Sequence, residues 1–173
     1  MALVNLNFFL GNYEGAVLHA LKSLQKDRII QCIWDQDYTV WKPKPDNIVN
    51  RLGWLHAPAD TLSQLSYVRS VLNPVIAEGY KNAVLLGMGG SSLAAEVFAK
   101  ILGSRDGNLK LHILDTTDPF TIFQISQELD WAKTLFLVSS KSGTTLETVS
   151  LFHYFYNSAL KKIGNQACCN FIF

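Results

Sequence analysis

TLFLVSSKSGTTLETVSLFHYFYNSALKKIG, residues 134–164, joins three kinds of sequence in a fixed order. Residues 134–138 are β-branched and apolar, the composition of a short buried strand. A turn of five hydroxyl residues, one lysine and one glycine follows at 139–145. An amphipathic helix then runs on from Thr145. Backbone N–H groups at a helix start lack internal partners, and the helix dipole favours an anion there. Ser139, Ser140, Ser142, Thr144 and Thr145 add compact donors, Lys141 adds charge, and Gly143 allows a tight turn or close approach to a ligand. This is the chemistry of a phosphate monoester site.

Working outward, the same strand–turn–helix unit repeats from Tyr80 onward. Strands are expected at residues 83–86, 111–114, 135–138 and 169–173, with helices starting near Ser92, Pro119 and Thr145. Short, wholly apolar strands alternating with helices imply a parallel sheet covered on both faces. The expected fold class is therefore α/β, a three-layer α-β-α sandwich. Its three complete strands end in small polar turns: residues 87–92, 115–119 and 139–145. Ligands of open parallel sheets bind beyond the carboxyl ends of the strands, so these turns should share one rim.

Each turn has a competing explanation. Gly87 and Gly89 match two positions of a dinucleotide fingerprint, but Ser92 stands where the third glycine belongs, and the reading leaves the third turn without a role. Asp118 and Pro119 fit an N-cap and first helical residue, which makes the second turn structural. Thr144 and Glu147 have capping-box spacing. That explains these two residues and leaves Ser140, Lys141, Ser142 and Gly143 unexplained, so the phosphate site is the preferred reading.

The N-terminal third is different. Residues 14–37 are expected to be helical, with Val17, Leu21 and Leu24 on one face and Ile30, Ile33 and Trp34 extending the stripe. WKPKPDN (41–47) is a proline-broken connector. Residues 48–59 form an irregular packed arm anchored by Leu52, Trp54 and Leu55. A further helix is expected at 60–78, capped by Asp60, kinked or split at Pro74 and ended by Gly79. The expected division is an arm at 1–59 and a sheet domain at 60–173.

The chain has 173 residues, 49% apolar content and a net charge of +1. Charges of both signs are interspersed, so neither a nucleic-acid surface nor a polybasic membrane patch is expected. The start, MALVNLNFFLGNYEG, is a poor secretion signal, and no apolar run reaches the ~20 residues of a membrane span. Cys32, Cys168 and Cys169 have no metal-ligand spacing with His19, His56, His112 or His153. The expected state is buried thiols in a reducing cytoplasm, with the histidines in packing or surface roles.

WKPKPDNIVNRLGWL, LLGMGGSSLAAEV, LHILDTTDP and VSSKSGTTLET, in this order, resemble phosphoglucose isomerase. The closest form is the bacterial type that also occurs fused behind a transaldolase domain. The last two motifs on their own resemble any SIS (sugar isomerase) domain; the arm around Trp41 and Trp54 narrows the resemblance, which runs from about residue 12 to the end. It implies interconversion of glucose 6-phosphate and fructose 6-phosphate in the cytoplasm, a homodimer, and no metal or organic cofactor. It assigns sugar binding to Gly90 and Ser91, and phosphate binding to Ser140, Lys141, Ser142, Gly143, Thr144, Thr145 and Thr148.

Aldose–ketose isomerisation needs an acid to open the ring, a base to move a proton and cationic help for the enediolate. The family's Glu base, His, Arg and late Lys resemble sequence beyond Phe173, and Glu147 is not that base. The expectation is thus a chain without catalytic residues of its own, ending within its fourth strand. It is either the phosphosugar-binding part of an isomerase or a non-catalytic SIS module acting as a sensor or interaction domain.

Overall fold

The structure, a computed structural model, describes residues 8–103 and 107–173. Residues 1–7, which open the stretch discussed above as a poor secretion signal, lie outside the described residues. The chain divides into two compact units, Met1–Leu65 and Ser66–Phe173.

In the first unit the expected helix at 14–37 is two helices, α1 (Glu14–Lys26) and α2 (Ile29–Trp34). Between them Arg28 takes a left-handed conformation with φ 51°. The charged run Lys26-Asp27-Arg28 falls where the stripe through Leu24 would need apolar residues, so the turn resets its phase. The arm beyond is irregular, with 3-10 turns at Val49–Arg51 and Gly53–Leu55. Leu52 and Leu55 are buried anchors there, whereas Trp54 is exposed.

The helix expected at 60–78 is α3 (Ala57–Ser63) and α4 (Leu65–Ala77), broken at Gln64 rather than at Pro74. Asp60 is not its cap; its N–H donates to the His56 carbonyl inside α3. Pro58 occupies the first turn, where a missing N–H is harmless. Pro74 lies inside α4, the fourth residue from its end, and leaves the Ser70 carbonyl without its helical donor while the helix runs on to Ala77. Gly79, at φ +75°, follows its end as expected.

The second unit carries β1 (Asn82–Gly87), α5 (Leu93–Leu102), β2 (Lys110–Leu114), α6 (Pro119–Glu128), β3 (Thr134–Ser139), α7 (Leu146–Ile163) and β4 (Phe171–Ile172). All strand pairs are parallel, in the order β2-β1-β3-β4. The path from β1 to β2 and the path from β2 to β3 run in opposite directions across the sheet. Right-handed crossovers then place α5 on one face and α6 and α7 on the other. Side chains follow this arrangement. Val84, Leu86, Leu114 and Phe136 meet Leu151, Phe155 and Ala159 of α7 in the main core. On the opposite face, residues of α4 line a cavity of about 580 Å³ with Ala83, Leu135 and Leu137, and residues of α5 line one of about 520 Å³ with Leu111. The three layers and the parallel sheet are as expected.

The fourth strand is shorter than expected. Gly164–Asn170 forms a 3-10 turn, and only Phe171 and Ile172 pair with Phe136 and Leu137. The Asn170 amide donates to the backbone carbonyls of Thr134 (2.8 Å) and Trp131 (3.2 Å), which holds the turn out of strand geometry. Cys168 and Cys169 are exposed rather than buried, and Cys32 is half-buried.

Candidate functional site

The strand order decides where the polar turns meet. Gly87 at the end of β1 pairs in register with Ser139 at the end of β3. The chain leaves these neighbouring strands toward opposite faces, the topology at which open α/β sheets hold ligands. A Cβ on Gly87 would lie 3.1 Å from both the Ser139 and the Ser91 carbonyl oxygens. Gly87 is therefore the residue that lets the two turns approach.

After β1, the backbone forms a 3-10 turn over Gly89–Ser91, with Gly89 at φ +54°. Gly90 is exposed and Ser91 half-buried. Ser92 is buried and ties the turn down, its hydroxyl donating to the Gly89 carbonyl at 3.0 Å.

After β3, the hydroxyls turn toward one another. Gly143, at φ +71°, donates its N–H to Ser140 Oγ at 3.1 Å. Thr144 donates its N–H and its hydroxyl to Ser142 Oγ, both at 3.2 Å. Ser140 Oγ and Ser142 Oγ each stand 3.4 Å from Thr145 Oγ1. Lys141 is exposed, and the ion pairs of the described residues (Lys81–Asp130, Lys100–Glu96, Lys110–Glu128) do not include it.

The capping box expected from Thr144 and Glu147 does not form. Thr145 is the N-cap residue, and no side chain caps α7. Thr144 is held back in the turn by its bonds to Ser142, which shifts the helix start by one residue. At α6 the opposite happens. Asp118 accepts the Thr121 N–H at 2.8 Å and its hydroxyl at 2.7 Å, so that helix start is closed by its own carboxylate. Two similar turns thus end differently, one satisfied from within and one left open to an outside anion.

One turn into α7, Thr148 is 1% exposed, and its Oγ1 has no hydrogen-bond partner. A buried hydroxyl without a partner is costly and calls for an explanation. Thr148, Ser140, Gly143 and His153 line a cavity of about 360 Å³ beside the loop. The sequence pattern assigns His153 to packing or surface; a position five residues beyond Thr148 on the same helix carries no signal that separates it from an ordinary surface site. Glu147 is exposed in the first helical turn. Of the predicted residues, Ser140, Ser142, Gly143, Thr144 and Thr145 form one bonded cluster, with Lys141 between them in sequence and Thr148 beneath. Gly90 and Ser91 lie on the adjacent turn. Among the described residues no group of three or more His, Cys, Asp and Glu side chains is placed to hold a metal ion, and no helix is long and apolar enough to cross a membrane.

These features define a class: a three-layer α/β protein with two small polar turns side by side at the switch point of a parallel sheet. Comparison with known proteins makes it specific. The family model described as phosphoglucose isomerase matches residues 72–169. The chain belongs to the phosphoglucose isomerase family. Its relatives include the glucose-6-phosphate isomerase of Campylobacter jejuni, 40% identical over 76 residues, which are 43% of this chain and 19% of that protein. The glucose-6-phosphate isomerase of Trichormus variabilis is 30% identical over 133 residues, 74% of this chain and 24% of that protein. The chain thus spans a quarter or less of these two relatives. A crystal structure of a hypothetical protein from Thermus thermophilus shares the fold with a TM-score of 0.65 at 24% identity, covering 92% of this chain and 36% of that one.

Proposed function

We propose that this chain supplies the phosphosugar-binding part of a cytoplasmic glucose-6-phosphate isomerase that works as a homodimer. The observation that carries the reading is the uncapped start of α7, ringed by the hydroxyls of Ser140, Ser142, Thr144 and Thr145. The phosphate sits on the first-turn N–H groups, the hydroxyls donate to its oxygens, and Lys141 supplies charge. Gly90 and Ser91, on the neighbouring strand end, face the sugar. Thr148, whose hydroxyl has no partner within the chain, adds a donor to the phosphate site from beneath the loop.

Anchoring the phosphate serves the reaction by fixing C1 and C2 of the open-chain sugar, which turns proton transfer into a positioned, intramolecular event. The acid and base that move the proton are not assigned to residues of this chain. Glu147, the one carboxylate of the loop–helix junction, has its role at the helix start.

Calorimetric titration with fructose 6-phosphate, with fructose as control, tests the reading. Saturable binding of the phosphorylated sugar alone is the expected result. Thr145→Val should weaken it about tenfold or more, since a hydrogen bond to a charged group contributes roughly 1.5–3 kcal/mol. Equal affinity in the variant would remove Thr145 from the site. Binding of fructose as strong as that of its phosphate would remove the anion site altogether.

A further inference from the structure

Cys168 and Cys169 form a second reactive feature, away from the phosphate loop in sequence and unused by the proposed function. They lie in the 3-10 turn Gly164–Asn170 between α7 and β4. With about three residues per turn, positions 167 and 170 share a face. Both are buried, Ala167 at 0% and Asn170 at 3% exposure, and Asn170 is pinned to the start of β3 by its two amide bonds. The two cysteines between these anchors are turned outward as free, exposed thiols with their Sγ atoms 3.8 Å apart. The Cys168 thiol also lies 3.2 Å from the Asn165 carbonyl oxygen, to which it donates.

The sulfurs of a chelate on one pyramidal centre stand somewhat closer than 3.8 Å, and a small rotation about these exposed side chains brings both onto it. A four-coordinate metal ion would need further protein donors. Among the described residues no group of three or more His, Cys, Asp and Glu side chains offers them. The centre that fits is thiophilic, needs only two sulfurs and brings its own third substituent. We propose that Cys168 and Cys169 are a bidentate site for trivalent arsenicals, arsenite and its organic derivatives.

The step balances without a redox partner. Two S–H bonds and two As–OH bonds break, two As–S bonds form, and two waters leave with arsenic still trivalent. Hydrogen bonding to Cys168 pushes the Cys169 thiol up from its ordinary value. Chelation takes up both sulfurs, and their protons leave in the two waters.

The test uses the full chain under native conditions with phenylarsine oxide, read by intact mass and by peptide mapping after alkylation. One phenylarsenic group per chain is expected, with Cys168 and Cys169 shielded from alkylation and Cys32 still open to it. Mapping on the unsubstituted chain makes this readout independent of any variant's folding. Cys168→Ser and Cys169→Ser should each lose the adduct, and Cys32→Ser should keep it. A small dithiol should release it where a monothiol at equal thiol concentration does not. The turn's anchoring should make binding at least tenfold tighter than in a free peptide of residues 164–170. Shielding of Cys32, an adduct that survives in Cys168→Ser, or equal binding by the free peptide would overturn the proposal.

Discussion

Thr148 is the residue whose position makes least sense for stability and most sense for binding. An unpartnered buried hydroxyl costs roughly 1–3 kcal/mol, and Thr148 Oγ1 is one. Thr148→Val keeps the shape and removes the cost. Its urea midpoint should rise at unchanged slope, while its affinity for fructose 6-phosphate falls. An unmoved midpoint would mean that the hydroxyl is paired in solution. Gly87 makes the opposite case. Gly87→Ala would push a methyl against the backbone of both turns, an overpacking that costs typically about 1–3 kcal/mol. Gly90→Ala meets no atom within 4 Å and should stay within about 0.5 kcal/mol of the parent. Equal midpoints for the two alanine variants would contradict the close approach at Gly87.

At the scale of elements, α6 and α7 show how one local rule has two uses. Both helices follow a strand and a polar turn, and only α6 is closed by a side chain. The Thr121 hydroxyl and backbone N–H hold the Asp118 carboxyl below the usual carboxylate range. A carboxyl whose folded value is lowered contributes stability that is present above its unfolded value, about 4, and is lost as pH falls through the lower folded value. Asp118→Asn should therefore be less stable than the parent by a constant margin above about pH 5, and the margin should shrink below about pH 4. Denaturation followed from pH 7 to pH 3 measures it. A margin that widens toward acid would show that the carboxylate is not what closes α6. At α7 the helix starts one residue later than the Thr144–Glu147 spacing puts it, because side-chain bonds within the turn hold Thr144 outside the helix and leave Thr145 at the N-cap position.

For the whole molecule, binding and turnover should separate. Saturating fructose 6-phosphate at 100 times its dissociation constant should stabilise the chain by roughly 2.7 kcal/mol, with fructose giving no shift. No conversion to glucose 6-phosphate is expected from the 173-residue chain; turnover by pure material would give Glu147 or a histidine a role denied to it here. Much of this was legible in residues 134–164. Apolar runs bounded by glycine and hydroxyls mark the strands, and the anion affinity of a helix start is a local property that needs no tertiary contact. The breaks at Arg28 and Gln64 were not legible because neither falls at a proline or glycine, and the Gly164–Asn170 turn was not because the Asn170 amide bonds that hold it reach residues 131 and 134. The outward turn of Cys168 and Cys169 follows from the anchoring of Ala167 and Asn170 on the sheet. Composition and local chemistry determined by themselves the α/β class and the polar turns that end the first three strands. Only the tertiary structure decided that β1 lies between β2 and β3, which sets the Gly87 turn beside the Ser139 turn, since strand order is chosen by long-range pairing and packing that no local stretch encodes.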